Sequence, residues 1–452
     1  MEDATPISSS PKRVLVVAYY WPPAGGPGVQ RWLKFTKYLA KFGWEPVLMV
    51  PEGAAYPVMD TTLNGDVPDG TEVHRVPIFE PYEAFMRLFK GKQSAERLGS
   101  VQGSDGGLKQ FLLMWLRGNL LLPDPRILWR RRAVRSAQSL IESKYSKGQP
   151  IHAVVTTGPP HSVHLIGLNL KRRTGLPWLA DFRDLWRELD YLSDFHPTRR
   201  TQRRHHEMEQ AVVREADRIT YTSPSVLESL APHEGTKSKF TLIYNGWDPD
   251  DVSRETMSST YRNREEQDIF HLGHFGSLFP TRDAPALWQA IRNWNDATPK
   301  GRPRLHLDIV GNVSPPVMCS LKEHLLPSDW TFHGYIPHGA AVQMMEKMDA
   351  LLLIQNNNDT GRKAIPGKAF EYLATGRPIG VVAPMPSDLG KLAEDWGLQP
   401  CGHSDIQAAN AMLENLMDNA GCDQDLQELY SRPALTAQLA KVLDAMTTQS
   451  VK

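Results

Sequence analysis

Lys368 and Glu371 stand three residues apart in LLLIQNNNDTGRKAIPGKAFEYLATGRP, which spans Leu351–Pro378. The apolar run Ala350–Ile354 reads as a fully buried strand, and Pro366 opens a helix, because proline is tolerated at a first helical position. Phe370, Leu373 and Ala374 give that helix its buried face. Gly376 suits the left-handed position that closes it, and Pro378 stops any continuation. Unpaired N–H groups and a positive dipole end favour an anion at the helix start. A lysine and a carboxylate there can hold a nucleotide diphosphate and its ribose hydroxyls. The same spacing describes a solvated ion pair. The residues alone leave both readings open.

Other chemistry gathers at predicted strand ends. The loop Trp21–Gly28, WPPAGGPG, holds Gly25, Gly26 and Gly28, whose backbone either approaches a ligand or turns sharply. Gly26 and Gly28 match the first two glycines of a dinucleotide fingerprint, with Glu52 near the ribose-binding position, but Arg31 occupies the third glycine position and disfavours a dehydrogenase. Downstream come Gly276-Ser277-Leu278 with Arg282, then Gly311-Asn312, then His333-Gly334-Tyr335. His161 follows Thr157-Gly158-Pro159-Pro160, and Asp184 closes Asp181-Phe182-Arg183-Asp184. His161 is as suited to capping or packing as to catalysis, and Ser223 before Pro224 is an ordinary helix start. Asp248 and Asp250 form a D-x-D in a polar loop, which we do not read as a metal site. No metal and no cofactor are expected.

These residues need a frame that brings strand ends together. Val14–Tyr19, Pro46–Val50, Val73–Val76, Ala153–Thr157, Trp178–Asp181, Ile219–Thr222 and Leu242–Tyr244 read as short strands alternating with helical patterns. Val29, Trp32, Leu33, Thr36 and Leu39 mark the buried face of the first helix, and Gly43 its end. A second alternating series has strands at Phe270–Phe275, Leu305–Val310, Thr331–Ile336, Ala350–Ile354 and Ile379–Val382. The expected fold class is α/β, two doubly wound Rossmann-like domains facing each other across a cleft, with ligands beyond the carboxyl ends of the strands. The expected boundaries are a disordered N-terminus over 1–11, a first domain over 12–245, a linker over 246–267, a second domain over 268–430, and a C-terminal helix over 431–452 that packs back on the first domain.

A chain of 452 residues with 41% hydrophobic and 23% charged residues is a globular protein of two or three domains, not a disordered one. Lys+Arg and Asp+Glu both number 51, so no overall field favours nucleic acid as a partner. Cys319, Cys401 and Cys422 show no metal spacing and read as reduced thiols. The N-terminus lacks an apolar signal core, and Phe111–Leu116 is far short of a membrane span. Cytoplasmic location is expected. An insertion over about 85–139 mixes Leu and Trp with arginines between Arg117 and Arg135. Residues 107–135 suit peripheral contact with the inner face of an anionic membrane; they equally suit a lid or an acceptor groove.

The stretches YYWPPAGGPGVQRWLKFTKYL, YNGWD, HFGSLFPTRDAP, IVGN, FHGYI and PGKAFEYLATGRPI together resemble the glycosyltransferases of the GT-B fold, in particular the large family-four group of retaining enzymes. The resemblance covers nearly the whole chain. It implies that Glu371, matching the second glutamate of the family's E-x7-E motif, holds the donor ribose. It implies that Gly276 and Arg282 match the Gly and Lys of the G-R-L-x-x-x-K loop that grips the donor diphosphate. Gly25, Gly26 and Gly28 match the N-terminal loop near donor phosphate and acceptor, Gly311 and Asn312 join the donor-binding set, and Tyr335-Ile336 fall where relatives contact the base. The chain departs from the family at Lys363, where the first glutamate is expected, at Ser277, which replaces an arginine, and at Arg183-Asp184, which replaces a His-Asp pair. Lys368 can supply the missing charge.

The implied activity is transfer of a hexose from a nucleotide diphosphate sugar to a glycan or lipid-linked acceptor, with retention and without a metal, in cell-surface polysaccharide or glycoconjugate synthesis. Arg282 and Lys368 would stabilise the leaving diphosphate. Asp184 and His161 are the candidate acceptor or proton contacts. The alternatives are a catalytically silent nucleotide-sugar-binding module and a GT-B-like nucleotide-sugar epimerase.

Overall fold

The computed structural model describes residues 11–80, 108–187, 195–230, 234–251, 268–297, 302–418, 421 and 423–448. They form two compact units. The first holds the described residues within 1–222, 226–243 and 436–452, and the second those within 223–225 and 244–435.

The first unit is built on seven parallel strands: β1 (Lys12–Val17), β2 (Trp44–Glu52), β3 (Glu72–Pro77), β4 (Ile151–Gly158), β5 (Trp178–Phe182), β6 (Arg218–Tyr221) and β7 (Phe240–Leu242). Their order is β3-β2-β1-β4-β5-β6-β7, with every neighbouring pair parallel. Strand order reverses between β1 and β4. The inner residues Val14–Val17 of β1 and Ala153–Val155 of β4 are apolar and all buried, as in a parallel sheet covered on both faces. The first helix, Pro27–Leu39, buries Val29, Trp32, Leu33, Thr36 and Leu39 as its periodicity predicts. Gly43 follows at φ 78°, a left-handed closure that glycine adopts without cost.

The second unit repeats the plan with five parallel strands: β8 (Ile269–Phe275), β9 (Arg304–Val310), β10 (Trp330–Gly334), β11 (Ala350–Ile354) and β12 (Ile379–Val382). Their order is β10-β9-β8-β11-β12, reversing between β8 and β11. Two apolar layers sandwich this sheet, one around Trp288 and Leu307, the other around Phe275, Phe370 and Leu373.

Several sequence expectations are corrected here. The helix expected from Pro366 spans Lys368–Ala374, with Gly367 at its N-cap. Ala369 and Tyr372 are buried together with Phe370, Leu373 and Ala374, so this helix is apolar nearly all round. The tenth strand ends at Gly334, which leaves Tyr335 and Ile336 beyond it. Residues 246–251 are not a free linker: Trp247 is buried, donates its ring N–H to the Gln427 carbonyl at 2.8 Å, and belongs to the second unit. The rest of that expected linker, residues 252–267, lies outside the described residues, as do residues 1–10, 85–107 of the insertion, and Cys422. The arginine-rich end of the insertion is part of the first core. Trp129 is buried and bonds the Val76 carbonyl at 3.1 Å, and the helix Arg130–Ser146 lays Ala133, Val134 and Ala137 against the sheet as the β3–β4 crossover. The helix Arg432–Thr448 enters the first unit at Thr436, and Asp444 pairs with Lys12 at 2.7 Å. Among the described residues no helix is long and apolar enough to cross a membrane.

Candidate active site

In the second unit the sequence-predicted residues collect at the carboxyl edge of the sheet. The β8 strand leads into Gly276, whose N–H bonds the Val310 carbonyl at 2.8 Å. Gly311 crosses it at φ 128°, and any side chain there would run into the Gly276 carbonyl oxygen. Only glycine lets the two loops pass so closely. Asn312 accepts from the Leu278 N–H through its carbonyl at 2.8 Å, and its side chain stays exposed. The Ser277 carbonyl accepts from Arg282 at 3.0 Å, while the Arg282 Nε meets Asn356 Oδ1 at 2.8 Å. Arg282 therefore spans from the β8 loop to the loop after β11.

Lys368 is the first residue of its helix, and Glu371 lies in that first turn. Their charged atoms are 3.8 Å apart and both side chains are about 40% exposed. The contact is loose, so both groups stay available. One Glu371 oxygen is nevertheless shielded and lacks a hydrogen-bond partner. A Cβ placed on Gly276 would lie 3.4 Å from His274 Nε2 and 3.8 Å from Lys368 Cε, which places the lysine stem against the glycine loop. Tyr335 is 77% exposed beyond β10, and Ile336 packs on the adjoining apolar layer.

Two residues absent from the sequence reading hold this edge together. Tyr372 receives the Phe275 N–H on its hydroxyl at 2.9 Å, and burial raises its pKa. His274 meets the Leu352 carbonyl through Nδ1 at 3.0 Å. A carbonyl only accepts, so Nδ1 carries the proton and Nε2 is the open lone pair. Burial pushes His274 down to about 4, with Arg282 and Lys368 adding to the effect against the Leu352 bond, so the ring is neutral.

In the first unit the edge is organised around Asp181, which is fully buried. It accepts from Arg31 at 2.9 Å, Trp32 at 2.8 Å, Thr157 at 2.9 Å and Thr220 at 2.7 Å. Burial alone would raise its carboxyl; the Arg31 guanidinium and these bonds hold it at about 2. Arg31, which spoils the glycine fingerprint, also bonds the Ile243 carbonyl at 2.9 Å. Its place in the sequence is explained by this knot. A carboxylate in a strand buried on both faces was the available signal, because such a charge needs a partner.

The glycine loop is braced from the same side. Gly26 has φ 87° and the Gly25 N–H bonds the Val58 carbonyl at 2.9 Å. The Gly28 carbonyl accepts from Arg183 at 2.6 Å, and Arg183 also donates to the Pro159 carbonyl. Asp184 reaches solvent, yet enough protein surrounds it that desolvation raises its carboxyl against the lowering effect of Arg183. His161 is placed differently. Its ring is buried, stacked on Trp186 at 4.8 Å, with Nε2 on the Leu185 carbonyl at 3.2 Å, and burial holds its pKa well below the usual range. The structure thus sets Gly25, Gly26, Gly28 and Asp184 at the loop surface and His161 inside the aromatic layer beneath.

Residues 25–246 match the family model described as a glycosyl transferase 4-like domain. That match covers just under half of the chain, in its N-terminal part. No curated protein matches the chain by sequence. Solved structures similar to it in fold include Anabaena HepE in complex with UDP and glucose, at 12% identity and TM-score 0.52, covering 97% of this chain and 98% of that one. The lipopolysaccharide outer core galactosyltransferase WaaB in its apo form matches at 11% identity and TM-score 0.58, over 96% and 99%. A putative UDP-N-acetylglucosamine 2-epimerase from Listeria monocytogenes matches at 11% and 0.51, over 97% and 96%. At such identities the likeness is one of fold. The chain has the GT-B fold, with two Rossmann-like units.

Proposed function

We propose that the chain is a retaining hexosyltransferase that takes its sugar from a nucleotide diphosphate donor and passes it to a glycan or lipid-linked acceptor. The observation that carries this is the carboxyl edge of the second sheet, where Gly276, Gly311, Arg282, Lys368 and Glu371 come together around one helix start. Cleavage of a sugar–phosphate bond leaves negative charge on the diphosphate. Fixed cations and backbone N–H groups aimed at that charge lower the barrier. Arg282 and Lys368 supply the cations in this reading and Glu371 takes the ribose hydroxyls. Asn312, Tyr335 and Ile336 flank the nucleoside, and Asp184 contacts the acceptor hydroxyl. The buried, neutral His161 acts in the same place by holding the layer under Asp184. No metal or cofactor enters the scheme. The setting is synthesis of a cell-surface polysaccharide or glycoconjugate on the cytoplasmic side of a membrane.

The test is a thermal-shift screen of the purified protein against nucleotide diphosphates and their sugars. A ligand that binds only the folded chain raises Tm by mass action. A selective shift lost in Glu371→Ala is the expected result; no shift with any nucleotide diphosphate sugar would sink the donor site. The likeness to a putative epimerase supports a second reading, conversion of the sugar without an acceptor. Incubation of the shifting nucleotide sugar with protein alone separates the two: an altered sugar still attached to nucleotide would favour the epimerase. Binding without turnover across a broad acceptor panel would favour a silent module.

A further inference from the structure

Two buried acceptors at the carboxyl edge of the second sheet, His274 Nε2 and Glu371 Oε2, have no hydrogen-bond donor among the described residues. His274 is 3% exposed, and its Nδ1–H is committed to the Leu352 carbonyl, so Nε2 offers only a lone pair. The Glu371 carboxylate likewise only accepts. Native chains leave few buried polar atoms unbonded, and one that stays so calls for a use.

Both acceptors face one side chain. Glu371 Oε2 is the oxygen 3.8 Å from Lys368 Nζ, a spacing too long for a hydrogen bond. The point where a Cβ on Gly276 would sit is 3.4 Å from His274 Nε2 and 3.8 Å from Lys368 Cε, which is one bond short of the ammonium. Arg282, the other cation of this edge, is already tied to the Ser277 carbonyl and to Asn356. Lys368 makes only the loose contact with Glu371. It is the cation that can still be aimed.

An ammonium has three N–H groups and no acceptor. We propose that His274 is a positioning residue for Lys368. When the donor diphosphate binds, the ammonium seats one N–H on His274 Nε2 and one on Glu371 Oε2, and the third points at a diphosphate oxygen. This rests on the donor-site reading above and goes beyond it by giving the lysine its direction. Glu371 Oε1 remains for the ribose hydroxyls. An imidazole lone pair suits the task better than a second carboxylate would. It orients the ammonium without cancelling the positive charge that the leaving diphosphate needs. Burial keeps the ring neutral, so it does not repel the lysine it holds.

The experiment separates the two ring nitrogens. In His274→Asn the amide N–H can replace Nδ1–H on the Leu352 carbonyl, while the shorter side chain leaves Lys368 without its acceptor. In His274→Gln the longer side chain brings its carbonyl oxygen near the place of Nε2 and gives up the Leu352 bond. Tm and calorimetric binding of UDP are measured for the full-length wild type and both variants, with GDP, ADP, CDP or dTDP instead where the thermal-shift screen selects it. His274→Asn is expected to keep the higher Tm of the two, yet to weaken the diphosphate at least about tenfold, the size of one hydrogen bond to a charged group. His274→Gln is expected to lower Tm more and to bind nearly as the wild type does. With Lys368→Ala added, the Asn and Gln forms should bind alike. A purely structural histidine gives the reverse order, with affinity following Tm. That order, equal affinity in the Asn and Gln forms, or a gap between them that survives Lys368→Ala would overturn the role. A wild type that binds none of these diphosphates would instead sink the donor site itself, and this role with it.

Discussion

The carboxyl edges of the two sheets share a topology and use charge in opposite ways. In the first unit Asp181 and Arg31 are buried, saturated with hydrogen bonds and closed to any ligand. In the second unit Lys368 and Glu371 stand half exposed at 3.8 Å, with one carboxylate oxygen unbonded. A saturated buried charge fixes shape, since removing either partner leaves the other stranded. A loosely paired charge at a helix start costs little to redirect, so it remains free for a ligand. In the function proposed above, Asp181 is scaffold and Lys368–Glu371 the working pair.

The contrast breaks most visibly at Asp181. Asp181→Ala leaves the Arg31 guanidinium buried without its partner and is expected to cost roughly 3–5 kcal/mol in urea unfolding. A loss under about 1 kcal/mol would mean that the knot is not the anchor of the first unit.

Acid should next weaken both units through buried histidines. His164 is pushed down to about 3 and His274 to about 4, chiefly by desolvation. Both folded values lie below the unfolded one near 6.5, so each contribution is complete above that value and is lost as pH falls towards the folded pKa. Between pH 6.5 and 5 each histidine should remove about 2 kcal/mol, and His164→Phe and His274→Phe should each flatten that slope. Asp181, held at about 2, adds a further loss only below about pH 4. A stability profile flat from pH 7 to 5 would contradict the burial of these rings.

Gly311→Ala tests the second unit's loop crossing. The strain of a side chain at φ 128° against the Gly276 carbonyl is expected to cost roughly 1–3 kcal/mol and to abolish the nucleotide-dependent Tm shift. Retained nucleotide binding would place the donor elsewhere.

The smallest stability effect, under about 1 kcal/mol, is expected for Lys368→Ala and Glu371→Ala, because an exposed pair contributes little. Their kcat/KM should nevertheless fall at least about tenfold, as removal of groups that act on the transition state requires. Unchanged kinetics in both variants would reverse the assignment of scaffold and working pair.

Much of this molecule was open to reading from residue order. The twelve strands follow from short apolar runs bounded by turn residues, and the buried stripe of Pro27–Leu39 follows from its period. Gly276, Arg282, Lys368 and Glu371 are legible as a set because each sits just past a predicted strand end or at a helix start. Arg31 misled: its position in the glycine pattern indicated a defect, whereas its partner Asp181 lies 150 residues away. Tyr372 and His274 were passed over because a tyrosine or histidine in an apolar layer carries no local mark of what it bonds. Local order determines strands, helix faces and caps, because those depend on backbone geometry and on neighbours three or four residues away. Which charge is saturated and which is left open was decided by tertiary structure alone, because the energy of a charge depends on its distant partners and on its burial.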